Sequence, residues 1–187
     1  MSGVLGGLIA AFPTPVTSSF ESIATYTATG SETSFTFSSI SGTYKSLQFR
    51  IFARQSSGTL TAPALKMRFN GDTTGANYAY HILSGNGSAV SSSGFTNMGE
   101  VQLYAFAGNS STANSFGAGI TDILDYASTT KNKTVRTFGG TEQNGSGLTQ
   151  AISNAWLQTS AITSIEIYGS QLNSFASGST FSLYGVK

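Results

Sequence analysis

Only one side chain, His81, could act as the base of a Ser-His-Asp relay, because the chain has no other histidine. It follows Tyr80 in an alternating run, and nothing near it resembles a G-x-S-x-G nucleophile turn. The reading is therefore a strand histidine making ordinary hydrogen bonds. Glycosidase chemistry needs two carboxylates at a set separation. The acids are Glu21, Glu32, Asp72, Glu100, Asp122, Asp125, Glu142 and Glu166, and only Asp122 and Asp125 stand close together. Three positions apart on a strand, those two point to opposite faces, which suits surface or turn-capping roles. The stretch from Asn70 to Asn77 offers oxygen ligands but lacks the spacing and terminal Glu of a calcium loop. It is read as a hairpin turn held by Asx side chains. With no Cys there is no thiol nucleophile, disulfide or thiolate metal site. The Gly-rich Ser84–Gly87 stretch lacks the Lys-Ser/Thr and the helix that a phosphate loop requires. No catalytic residue, metal or cofactor is expected.

Tyr78, Tyr80, Tyr104, Tyr126 and Trp156 admit two readings. Aromatic rings stack on the apolar faces of sugars, so they could line a glycan-binding face. They alternate with small residues, however, which favours packing in a sandwich core or a subunit interface.

The elements that must carry these side chains are strands. Charged residues make up 9% of the chain, against roughly 25% in ordinary domains. The polar surface is built from 30 Ser, 24 Thr and other uncharged groups. The nine Lys and Arg form no run, so no track for nucleic acid is expected. Hydrophobic residues at 39% and aromatics at 12% are enough for a packed core. Period-two alternation recurs along the chain. Leu47, Phe49, Ile51 and Ala53 alternate with Gln48, Arg50, Phe52 and Arg54. Leu65, Met67 and Phe69 alternate with Lys66 and Arg68. Val101, Leu103 and Ala105, then Phe116, Ala118 and Ile120, continue the pattern. Ile165 and Ile167, then Phe181 and Leu183, close it. Asn70-Gly71, Asn86-Gly87 and the loop Asn144 to Gly147 mark turns.

About ten short strands at this spacing, with no β-α-β alternation, repeat or heptad, predict an antiparallel jelly-roll-like β-sandwich. The expected core holds Leu47, Phe49, Ile51, Leu65, Met67, Phe69, Val101, Leu103, Ile165, Ile167, Phe181 and Leu183. Residues 20–187 form this single domain. Residues 1–19 form an extended apolar arm that Pro13 and Pro15 set apart from it. The arm has no basic residue ahead of its apolar run, as a signal peptide would. It is also too short to cross a membrane. Val4, Leu5, Leu8, Ile9, Phe12 and Pro13 are its candidate docking residues.

Several stretches are familiar as a set: Phe20–Thr25, Gly42–Arg50, Arg68–Asp72, Asn77–His81, Asp125–Thr134, Ala161–Ile165 and Gly178–Gly185. In this order they resemble a family of tailed-phage virion proteins, often labelled tail-fibre or structural proteins. The resemblance spans residues 20–187. Some relatives have Pro where this chain has Ser41, a departure that affects one turn. The resemblance implies a virion component displayed on the particle's outer surface and assembled in the host cytoplasm. It carries over no active residues. The expected role is a homotrimeric capsid decoration (cement) protein. Its arm would bind the major capsid protein or another virion subunit and stabilise the shell. The alternative is a tail-fibre or baseplate-associated adhesin that binds a host surface glycan through Tyr78, Tyr80, Tyr104 and Trp156. A fibre shaft of coiled coil or repeats is not legible in the chain. A depolymerase is opposed by the single histidine and the scattered acids.

Overall fold

The computed structural model describes residues 18–187. The described residues form twelve strands: β1 (Phe20–Thr27), β2 (Ser34–Phe37), β3 (Ser46–Ala53), β4 (Ala64–Phe69), β5 (Tyr78–Gly85) and β6 (Val90–Thr96). They continue with β7 (Val101–Ala105), β8 (Gly117–Leu124), β9 (Lys133–Thr141), β10 (Leu148–Trp156), β11 (Ile165–Gly169) and β12 (Thr180–Val186). Eight make one antiparallel sheet in the order β1-β12-β3-β8-β9-β10-β5-β6, and four make a second in the order β2-β11-β4-β7. When the β5–β6 and β9–β10 pairs are set aside, β1-β12-β3-β8 faces β2-β11-β4-β7. That is the strand order of a jelly roll. The fold is the expected sandwich, and the two added hairpins widen one sheet only.

Alternation explains the core. All twelve expected core positions are at most 4% exposed. In β3, Leu47, Phe49, Ile51 and Ala53 are buried while Gln48, Arg50 and Phe52 face outward. Turns sit where the chemistry allows positive φ. Asn70 and Gly71 adopt φ of 52° and 70°, and Asn144 and Gly145 adopt 59° and 87°. Asn and Gly tolerate this left-handed region at low cost.

The widened sheet leaves β7, an edge strand of the smaller sheet, lying beneath β9 and β10 with all five of its residues buried. An edge strand has unpaired backbone groups, and water cannot reach these. Side-chain amides from β10 stand in for the missing strand. Asn154 Oδ1 accepts from Gln102 N at 2.9 Å, and Asn154 Nδ2 donates to Gln102 O at 3.0 Å. Gln150 Oε1 accepts from Ala105 N at 2.6 Å.

Backbone carbonyls likewise accept the hydrogen bonds of two cations in a chain poor in acids. The Arg54 guanidinium donates to the carbonyl oxygens of Thr112, Ser115, Asn109 and Ser111 at 2.8–3.3 Å. Fully buried Lys133 donates to those of Lys131, Ser128, Thr159 and Gln158 at 2.7, 2.9, 3.0 and 3.3 Å. Each cation ties loops to a strand.

Candidate interaction surface

The arm residues Val4, Leu5, Leu8, Ile9, Phe12 and Pro13 lie outside the described residues. The four aromatics offered for sugar binding are core residues. Tyr78, Tyr80, Tyr104 and Trp156 are exposed by 1%, 9%, 0% and 2%. Tyr104 lies against Gly119 and Gly139, where a Cβ would come within 2.3 and 2.7 Å of the ring. The glycines make room for it. Tyr80 is stacked obliquely on Phe95 at 4.8 Å. Trp156 packs on Phe69 at 5.4 Å. Rings packed in this way have no free face for a sugar, so the glycan-face expectation for these four is corrected. Their place is between the sheets.

The turn from Asn70 to Asn77 is an Asx-stabilised hub. Asp72 Oδ1 accepts from Thr74 N at 2.9 Å. Its Oδ2 accepts from Asn77 Nδ2 and from Trp156 Nε1, each at 2.8 Å. Among the described residues, no three His or acidic side chains gather at metal-binding distance. Burial pushes the Asp72 carboxyl upward, but the donors Trp156, Thr74 and Asn77 outweigh it and hold the pKa at about 2. The unperturbed value is 3.8. The sign follows from the depressed pKa. Asp72 stabilises the fold fully above pH 4, and that contribution is lost as pH falls through 2. Asp72→Asn should therefore cost about 1.5–3 kcal/mol at pH 7 and much less at pH 2, because the wild type has by then lost the same interaction. Urea midpoints measured at both pH values check this.

His81 is exposed on β5, its ring lying over Gly94 of β6. Asp122 faces outward and accepts from Gln48 Nε2 at 2.9 Å. Asp125 sits beyond the end of β8 at φ 54° and pairs with Lys131 at 3.1 Å. In the sheet order, β9 and β10 lie between Asp122 on β8 and His81 on β5.

The two outer faces of the sandwich differ. The smaller sheet carries a charged network on its exterior. Glu100 meets Lys66 at 2.7 Å and Arg68 at 3.8 Å, Arg68 meets Glu166 at 3.8 Å, and the Arg68 guanidinium lies 4.5 Å from the Tyr168 ring centre. The ion-paired side chains are 11–30% exposed. On the larger sheet, the outward positions from β12 to β6 hold neither Lys nor Glu. Their charged residues are Arg50, Asp122 and Arg136. Arg50 is held over Phe20 and Tyr184, at 5.1 and 4.7 Å from the ring centres. Cross-strand register aligns Ile120, Phe138, Ala151 and Leu83 in one row over β8, β9, β10 and β5. Ile120, Phe138 and Leu83 are 48%, 64% and 51% exposed, and Phe52 beside them is 49% exposed. Phe138 rises between two shallow hollows on this face. One, of about 690 Å³, is lined by Phe52, Ile120, Gly140 and Thr149. The other, of about 720 Å³, is lined by His81, Leu83, Arg136, Ala151 and Ser153.

This apolar row was not anticipated. One signal in the sequence points to it: Phe52 shares a strand face with Gln48 and Arg50, where a polar residue belongs. A large hydrophobe on the polar face of a strand is ordinary alone and becomes informative where it joins a contiguous apolar patch. No family model, curated protein or solved structure matches the chain.

Proposed function

We propose that the chain is a non-enzymatic structural subunit of a tailed-bacteriophage particle, a capsid decoration protein attached to the shell by its N-terminal arm. The observation that carries this reading is the contrast between the two outer faces. One bears an ion-pair network, and the other is broad, nearly uncharged and studded with exposed Phe, Ile and Leu. A subunit whose apolar side is covered by a neighbour has this asymmetry. Phe20 lies against Arg50 at the margin of the apolar face, so the described residues start beside it. The ordered set of motifs that resembles tailed-phage virion proteins supports the same assignment. The adhesin reading rested on Tyr78, Tyr80, Tyr104 and Trp156, which are buried.

The test is binding to capsids that lack this protein. The full chain should decorate them. A chain without residues 1–17 should fold and melt normally but fail to bind. Normal decoration by the truncated chain would rule out arm-mediated attachment, and density at the tail in a map of the whole particle would rule out decoration.

A further inference from the structure

We infer that the outer face of the larger sheet is the contact between copies of this chain. Its occupant is the same face, or its margin, on a second copy.

The dimensions fit. Strands β3, β8, β9, β10, β5 and β6 lie side by side. At about 4.8 Å per strand and about 3.4 Å per residue, six strands of about eight residues cover roughly 800 Å². A standard stable interface takes about 800 Å² from each partner. The composition also fits. Interfaces are enriched in aromatic residues and Arg and depleted in Lys and Glu. The outward positions here hold Phe52, Phe138, Arg50 and Arg136, with no Lys or Glu.

The relief of the face favours a copy over an unrelated partner. Phe138 projects from β9 with hollows on both sides. Small outward residues line the hollows, Ala118 in one and Ala151 in the other. A face that offers both a knob and a hollow is complementary to itself, as a two-fold contact between identical subunits requires. Of the three charges, Arg50 lies over Phe20 and Tyr184, Asp122 accepts from Gln48, and Arg136 stays exposed as the kind of residue that interfaces favour.

This inference deepens the assembly reading and rests on it. Its test reads subunit association in the absence of any shell, so either can fail without the other. Native mass spectrometry and light scattering of the full chain should show an oligomer. Phe138→Asp and Leu83→Asp should each yield monomers with unchanged circular dichroism, since both side chains are largely exposed. The chain has no cysteine, so single-cysteine variants report contact without background. Ala151→Cys, on this face, should form disulfide-linked pairs on mild oxidation. Thr36→Cys, on the exterior of the smaller sheet, should not. A monomeric wild type, an oligomer unaffected by both Asp variants, or crosslinking at Thr36→Cys in preference to Ala151→Cys would overturn the inference.

Discussion

Lys133→Met is expected to lower the unfolding free energy by about 3–4 kcal/mol. Methionine keeps most of the aliphatic stem and removes the ammonium, so the loss is electrostatic and not a cavity effect. Four carbonyls, from Ser128, Lys131, Gln158 and Thr159, then point at a thioether that donates nothing. They cannot all turn to water without releasing the two loops that carry them. The Trp156 ring, 6.0 Å from the ammonium, loses its cation as well. Denaturant titration should show a lower midpoint with a similar slope. A change within about 1 kcal/mol would mean that the carbonyls are satisfied by solvent and that the lysine is a bystander.

Asn154 carries the second large effect. Asn154→Leu should cost about 3–5 kcal/mol, because it strands both the N–H and the C=O of Gln102 in the dry space under β10. Asn154→Asp is the sharper test. A carboxylate could still accept from Gln102 N but would set its other oxygen against Gln102 O, where Asn donates. The neutral acid can donate there, so burial and this clash raise the folded pKa of the introduced carboxyl above its unfolded value. The stability it contributes is then present below the unfolded pKa, about 3.9, and is lost as pH rises through the folded value. The variant should thus approach the wild type near pH 4 and fall furthest behind at pH 7. Equal deficits at both pH values would show that the side chain does not cap β7 in the manner described.

The legibility of this fold in its sequence follows from where alternation is forced. Leu47 to Ala53 and Leu65 to Phe69 had to read as strands with one buried face, because period two is how a half-buried strand presents itself. Strand β6 was not legible for the same reason. All seven residues of Val90–Thr96 are exposed, so no side of Val-Ser-Ser-Ser-Gly-Phe-Thr has to be apolar. The alternation of Phe116, Ala118 and Ile120 marks a strand but not its direction. In β8 the buried positions are Gly117, Thr121 and Ile123, while Ala118 and Ile120 face out. The ring of Tyr104 needs the room that Gly119 leaves, and a contact over 15 positions in sequence has no local signature. Lys133, Gln150 and Asn154 read as surface residues for a parallel reason. A polar side chain is expected outside, and nothing near them announces that their partners are backbone groups from other loops and the other sheet. The candidate surface was half legible. Phe52 announced itself among polar neighbours, but Phe138 and Leu83 join it only through the strand order.

Among the described residues, strand β1, at the edge of the larger sheet, pairs only with β12. Thr25 and Ser182, which share a hydrogen bond at 3.0 Å, are 157 positions apart. During synthesis β1 therefore has no partner until almost all of the body has been made. Chains dominated by such distant pairings fold in milliseconds to seconds, slower than chains built from local contacts. Closure of this edge of the larger sheet is therefore timed by the synthesis of β12, and a nascent chain stalled before Thr180 would leave the outer edge of β3 and the whole of β1 without their strand partner.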